Sequence, residues 1–200
     1  MGAPTKTVAA VDEWANVAQN AVREGAAVDV SGLDGAILHI DIALTAAVAH
    51  TGTKITVQIS SNTSGDEDWT ELPPFIGPTG TPNTENITNN PLSAASITAT
   101  VANTTGYVAD ETRIIYINYV TIANSELVLL VSAVTDTSLT WLDGTTNEHA
   151  QTTPVWNIAK TYAFELPWGT NRARVIIDNT YDPDGAAVDT KTRISKVVGN

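Results

Sequence analysis

The stretch Gly35-Ala-Ile-Leu-His-Ile-Asp-Ile-Ala-Leu44, followed after a turn by Lys54-Ile-Thr-Val-Gln-Ile-Ser-Ser61, decides the fold class. Both segments are rich in β-branched residues, and apolar residues fall on alternate positions: Ile40, Ile42, Leu44, Ile55, Val57 and Ile59. A period of two is typical of strands that bury one face. The same alternation returns at 97–101 and near the C-terminus, so the sequence predicts an all-β protein.

Turn signals and strand lengths divide the chain into predicted units. Residues 1–24 form an N-terminal arm, of which residues 5–24 fit an amphipathic helix and a strand equally well. Residues 25–106 and 158–200 carry the longer strands and form a β-sandwich. The strands of residues 107–157 are short and closely spaced, which predicts an inserted small β-barrel or β-hairpin subdomain.

The composition limits the kinds of partner. Only 16% of the residues are charged, the net charge is −12 and the sequence pI is about 4.4. Nucleic-acid binding needs clustered Lys and Arg, so we expect no nucleic-acid partner. No apolar run reaches transmembrane length and the N-terminus lacks the order of a signal peptide, so we expect no membrane partner. Without cysteine there is no disulfide, thiol nucleophile or cysteine-based metal site.

Residues that carry chemistry are not grouped in the sequence. The three histidines, His39, His50 and His149, are far apart and form no ligand pair, and Ser or Thr nucleophiles therefore have no evident base. The turn that begins at Asp182 has the Asp-x-Asp-Gly order of a calcium loop, but Arg193 stands at the twelfth position, where an acidic ligand is expected. Asp is also an ordinary turn residue. The sequence predicts a protein that is not an enzyme, with no catalytic, cofactor-binding or metal-binding residues.

Several aromatic and proline residues are candidates for contact with a partner. Trp14 would anchor the N-terminal arm, and Trp69 follows an acidic run, where burial and a sugar-stacking role are alternatives. Trp168, in Leu-Pro-Trp-Gly, is expected at an exposed corner. Residues 73–92 form a long Pro-rich loop, of a kind that often contacts a partner, with a disordered loop as the alternative. The interface candidates are Trp14, Trp69, Trp168, Pro74, Phe75 and Pro78.

Three segments together resemble a known class of protein. Gly52–Ser60 followed by Asp68-Trp69, then Thr121–Leu127, and finally Arg174–Asn179 resemble structural proteins of tailed-bacteriophage particles. The resemblance covers most of the chain. It implies a jelly-roll-like virion component: a capsid decoration (cement) protein, or a neck or tail structural protein.

The resemblance also implies partners and a location. We expect a homo-oligomer, such as a trimer, that binds the major capsid protein or other virion proteins and is assembled in the host cytoplasm. The acidic charge favours the capsid exterior, away from packaged DNA. A carbohydrate-binding adhesin module is an alternative, with Trp69 or Trp168 as an exposed aromatic platform. A hydrolase would need a pocket that gathers a histidine or a pair of carboxylates.

Overall fold

The structure is a computed structural model that describes residues 5–33, 35–65, 68–107, 114–118, 121–134, 137–183 and 185–198. These residues form sixteen strands and two short 3-10 helices, and no α-helix occurs among them. The strands are β1 (Thr5–Val17), β2 (Val22–Glu24), β3 (Val28–Asp29), β4 (Gly35–Leu44), β5 (Lys54–Ser60), β6 (Thr70–Glu71), β7 (Phe75–Ile76), β8 (Thr84–Asn86), β9 (Thr98–Thr100), β10 (Ile114–Ile117), β11 (Glu126–Val134), β12 (Ser138–Trp141), β13 (Pro154–Trp156), β14 (Ala159–Glu165), β15 (Arg172–Asp178) and β16 (Val188–Val198). The 3-10 helices span Ile122–Asn124 and Asn179–Tyr181.

Two antiparallel sheets form a jelly-roll-like sandwich, which confirms the predicted fold class. The first sheet has the order β1-β16-β4-β14. The second sheet has the order β2-β15-β5-β6, with β3 also paired to β15 and β7 to β5. Strands that are distant in sequence pair in the middle of each sheet: β4 pairs with β16 in the first sheet, and β5 pairs with β15 in the second.

The core of the sandwich follows the alternation in the sequence. Leu38, Ile40 and Ile42 of β4 are fully buried, and they belong to one cluster with Ile55 of β5 and Val175 of β15. Residues of both sheets therefore point into the same interior, as the period of two predicts.

A third antiparallel sheet, with the order β8-β13-β10-β11-β12-β9, is built from the chain between β7 and β14. It has a separate apolar cluster, in which Ile115, Leu130 and Trp141 are almost completely buried. Its first strand, β8, begins well before residue 107, ahead of the predicted start of the insertion. The division of the chain into domains stays a prediction.

The third sheet packs on the outer face of the first sheet through a small aromatic junction. This junction contains Trp14 of β1, Ala43 of β4, and Tyr116 and Trp156 of the third sheet. It explains why Ala43 is buried although it alternates with the sandwich core of β4. The structure also decides between helix and strand for the N-terminal segment, because Thr5–Val17 pairs along β16 with two irregularities in register.

The predicted Pro-rich loop is ordered in short pieces. Residues 73–92 include β7 and β8, and isolated bridges join Gly80 to His50, Ile87 to Val101 and Leu92 to His149. The alternative of a disordered loop is therefore wrong. In the described ranges of the chain, no helix has the length and hydropathy needed for a bilayer crossing.

Candidate interaction surface

The most exposed large apolar side chain that the structure describes is that of Trp168, at 90% exposure. It lies in the connection between β14 and β15, within the sequence Leu-Pro-Trp-Gly. The exposure agrees with the corner that the sequence predicts. Aromatic rings in such positions are typical anchors of interfaces, because burying one removes a large apolar area from water.

The corner that carries Trp168 is held in place at both ends. The Leu166 N–H donates to the Ala36 carbonyl oxygen at 3.0 Å, and the Thr170 N–H donates to the Pro167 carbonyl oxygen at 3.1 Å. Gly169 has φ of 85°, in the left-handed region that glycine adopts at little cost. Leu166 is buried in the sandwich core. The turn therefore presents the indole from a backbone fixed by hydrogen bonds and packing.

An open groove of about 450 Å³ lies beside Trp168, which forms part of its lining. Its apolar lining comes from Val30, Leu33, Ala36 and Leu166, together with Pro167 of the corner. Glu165 is the one ionisable residue among the described residues that line the groove. The volume is in the range of sites that take a small ligand or the side chains of a partner.

The other two candidate tryptophans have internal partners. Trp14 is 4% exposed, and its ring centroid lies 4.7 Å from that of Tyr116. In this chain the Trp14 ring packs inside the junction between the first and third sheets. Trp69 is half-buried on the second sheet, where the guanidinium carbons of Arg174 and Arg172 lie 4.3 and 4.9 Å from its ring centroid.

The three loop candidates are placed differently from one another. Pro74 is exposed, whereas Pro78 is buried. Phe75 is partly buried, with its ring centroid 4.5 Å from that of Tyr162 and 4.9 Å from that of Phe164. The six predicted interface residues do not converge on one surface, and their roles toward a partner stay predictions.

Histidine contacts that sequence reasoning missed occur in two places on the sandwich. His50 Nδ1 lies 2.8 Å from Asp182 Oδ2, and both side chains are fully buried. His39 Nε2 lies 2.8 Å from Ser195 Oγ, but Ser195 is only 2% exposed, so a substrate has no access to this hydroxyl. The partners are 132 and 156 residues apart, and no local motif marks either pair.

Hydrogen bonds control the charge state of Asp182. Burial by itself raises the pKa of this carboxyl, but the Thr51 N–H and hydroxyl and the His50 ring outweigh that effect, so the pKa is lowered. The Thr51 donors lie 2.9 and 2.8 Å from Oδ1. A carboxylate with three donors is a structural tie between the β4–β5 loop and the turn that precedes β16.

The carboxylates around the turn that begins at Asp182, whose sequence is like part of a calcium loop, do not converge on one point. Asp178 accepts from Thr180, Asp182 binds His50, and Asp189 accepts from Asn16 and Tyr116. Asp184 lies outside the described residues. Across the ranges that the structure covers, no three His, Cys, Asp or Glu side chains are grouped as metal ligands.

A second groove, of about 430 Å³, lies where the first sheet meets the third and has a more polar lining. Arg193 donates to both carboxylate oxygens of Asp41 at 2.8 Å, and the Thr161 hydroxyl donates to Asp41 Oδ1 at 2.7 Å. Lys191 donates to Glu13 at 2.9 Å. The charged groups of Arg193, Asp41 and Lys191 are therefore already paired within the chain. For this reason we regard the Trp168 corner as the better candidate for contact with a partner.

No protein-family model matches the chain, and no curated protein does. Among solved structures, the chain is similar to VP17, a capsid protein of bacteriophage P23-77, with 9% identity and a TM-score of 0.21 over 99% of this chain and 98% of that one. It is also similar to a structure of the infectious bursal disease virus Gx strain, with 10% identity and a TM-score of 0.26. That match covers all of this chain but 43% of the viral one. TM-scores this low assign no function.

Proposed function

We propose that this chain is a non-enzymatic structural protein of a virus particle, and specifically a capsid decoration (cement) protein that associates with itself and with neighbouring capsid subunits. The observation that carries the proposal is the Trp168 corner, where a hydrogen-bonded turn holds an indole in water beside a groove with both apolar and polar lining residues. Burying a ring of this size against a partner would contribute about 2 kcal/mol of hydrophobic free energy to binding. An anchor next to a groove is the arrangement expected at the centre of an interface.

Charge and composition support a place on the outside of the particle. The net charge of −12 opposes contact with packaged DNA, and the small share of charged residues leaves a surface suited to close packing with other subunits. The partners are a second copy of the chain and the major capsid protein or another virion protein, and the location is the virion exterior. A neck or tail position is the alternative within the same class of function.

Co-sedimentation with capsids that lack the chain tests the proposal. The wild-type chain should pellet with the capsids, and Trp168→Ala should lower the bound fraction at least tenfold. Tyr181→Ala is the matched control, because Tyr181 is also exposed, at 58%, but lies in a different turn. Thermal denaturation should show that both variants stay folded.

Two results would contradict the proposal. One is a wild-type chain that does not bind capsids at any concentration. The other is saccharide binding on a glycan array that Trp168→Ala abolishes, because the exposed indole would then be a platform for sugar stacking, as in a carbohydrate-binding adhesin module.

A further inference from the structure

We propose that the free edge of β14 binds an extended segment of a neighbouring capsid subunit as an additional strand of the first sheet. The inference rests on the proposed function and names the kind of contact that the subunit makes. β14 is an outer strand: it pairs with β4 on one side, and no described strand pairs with it on the other. An unpaired strand edge is a template for another extended chain.

The register of β14 on β4 shows which of its backbone groups point outward. Just beyond the end of β14, the Leu166 N–H donates to the Ala36 carbonyl oxygen, so this pair of residues is hydrogen-bonded. Bonded and non-bonded pairs alternate along an antiparallel ladder, so the even-numbered residues of β14 also face β4. The N–H and carbonyl groups of Thr161, Ala163 and Glu165 therefore point away from β4, toward the open edge.

The outward groups are accessible and regularly spaced. Ala163 and Glu165 are exposed, and Thr161 is half-buried. Each of these three residues contributes one donor and one acceptor, and residues two apart on a strand are separated by about 7 Å. An extended main chain offers its own donors and acceptors at the same repeat, so the edge itself selects a strand-like segment.

β14 differs from the other outer strands because nothing in its structure blocks pairing. The opposite outer strand of the first sheet, β1, pairs with β16 through two irregularities in register. The outer strands of the other two sheets, β2, β6, β8 and β9, are only two or three residues long. β14 pairs with β4 over seven consecutive residues without an irregularity, and it contains no Pro or Gly. A long, regular and unprotected edge is the kind that proteins keep for a partner strand.

Charge favours a basic segment over a second copy of this chain. Each copy has a net charge of −12, so two copies repel each other. Glu165 is exposed at the end of β14, and Trp168 follows it in the next turn. The basic residue of the strand, Lys160, lies at the other end, with its Nζ 5.0 Å from the Tyr162 ring centroid. A segment with Lys or Arg beside Glu165 therefore gains attraction close to the Trp168 corner, and added salt should weaken its binding.

Hydrogen exchange resolved to single amides, on the full chain free and bound to capsids that lack it, tests the edge directly. In the free chain the amides of Thr161, Ala163 and Glu165 should exchange rapidly, whereas those of residues 160, 162 and 164 are protected by β4. Binding to capsids should slow the three outward amides at least tenfold. The amides of β1 are the control and should exchange equally fast in both states.

A proline substitution tests the same edge by removing a donor. Ala163→Pro loses an N–H that points outward and keeps the bonds to β4, so it should lower the bound fraction in co-sedimentation at least tenfold. Ala163→Ser keeps the N–H and is the matched control, which should bind like the wild type. Glu165→Lys should lower binding several-fold at low salt and less at high salt. Thermal denaturation shows whether each variant is folded, and if Ala163→Pro is not, hydrogen exchange of the wild type decides.

The outcomes separate this inference from the proposed function. Outward amides that are already slow in the free chain, or that stay fast on capsids, overturn the added strand. A folded Ala163→Pro variant that binds like the wild type does so too. If Trp168→Ala still lowers capsid binding in those cases, the proposed function stands. Protection of the three amides that grows with the concentration of the chain alone would make the occupant a second copy and the inference wrong. A wild-type chain that binds no capsids contradicts both.

Discussion

The hydroxyl of Tyr116 donates a hydrogen bond of 2.8 Å to Oδ2 of Asp189, and both residues are buried where the third sheet meets the first. Asn16 Nδ2 donates to the other oxygen of Asp189 at 3.0 Å. Burial raises the pKa of Asp189, although the hydrogen bonds from Asn16 and Tyr116 act against it. These neutral donors from two sheets share one buried carboxylate.

We expect Tyr116→Phe to lower the free energy of unfolding by about 1–3 kcal/mol at neutral pH, because the variant leaves an acceptor of Asp189 buried without its donor. Because the pKa of Asp189 is raised in the folded state, the cost of burying its charge is present at neutral pH and is relieved as the pH falls and the carboxyl is protonated. The loss should therefore shrink in acid.

Urea denaturation at neutral and at acidic pH measures this difference, with Tyr181→Phe, in an exposed tyrosine, as the control. A Tyr116→Phe variant as stable as the wild type at neutral pH would show that the hydrogen bond does not hold the two sheets together.

Asn179 should be among the most sensitive positions of the sandwich. Its side chain is fully buried; Nδ2 donates to the carbonyl oxygens of Val17, Ala18 and Ala186, and Oδ1 accepts from the Thr53 hydroxyl. Asn179→Ala removes all of these bonds: the buried Thr53 hydroxyl loses its acceptor, and the carbonyl oxygens of Val17 and Ala186 lose a donor, whereas the Ala18 carbonyl keeps its bond from the Ala21 N–H. We expect a loss of about 2–4 kcal/mol.

Chemical denaturation of Asn179→Ala checks this value. Asn86→Ala, at an exposed asparagine in β8 of the third sheet, is the control. A loss below about 1 kcal/mol would mean that the freed carbonyls find other donors.

Asp182 predicts a loss of stability in acid. Its pKa is lowered in the folded state, so its contribution is fully present above the ordinary value of 3.8 and is lost as the pH falls through the lowered value. Protonation would weaken the bonds from Thr51 and His50 together. In Asp182→Asn this part of the pH dependence should disappear, although the variant is less stable at neutral pH.

Midpoints of urea unfolding, measured from neutral pH down to about pH 2, follow this effect. Asp143→Asn, in an exposed turn, should keep the wild-type profile. An unchanged acid slope in Asp182→Asn would assign the acid sensitivity to other carboxyls.

Trp69 and Trp168 should have opposite effects when they are replaced. Trp69→Ala removes the contacts with Arg172 and Arg174 and should cost about 1–2 kcal/mol of stability. It should leave capsid binding and self-association unchanged. Trp168→Ala should leave stability nearly unchanged, because its ring is 90% exposed.

Thermal denaturation and co-sedimentation of both variants, run in parallel, measure the contrast. A Trp69→Ala variant that keeps its stability but loses capsid binding would move the interface to the second sheet.

Local patterns in the sequence were enough to predict the class of fold but not its long-range contacts. The alternation of Ile40 and Ile42 indicates which face of β4 enters the core, since the side-chain period depends only on neighbouring residues. It does not show that Ala43 is buried as well, because that follows from the third sheet packing on the opposite face. The corner at Trp168 was predictable from Pro and Gly, which act on the local backbone.

The buried polar contacts were not predictable either, because they join residues that are far apart in the sequence. His50 meets Asp182 across 132 residues, and nothing in the sequence near either one signals the other. Likewise, nothing in the sequence near Trp14 indicates that its ring packs against Tyr116, about 100 residues away. Pairings of this kind depend on strand order, which local sequence patterns do not reveal.

The pairing of β1 with β16 determines how the protein would respond to mechanical force. Thr5 lies opposite Val198 at one end of this antiparallel pair. Tension that pulls these two residues apart would break the ladder one hydrogen bond at a time, as a zipper opens, and so meet little resistance. A connection that must withstand stretching is therefore better made through the body of the sandwich, and single-molecule pulling from different attachment points would measure the difference.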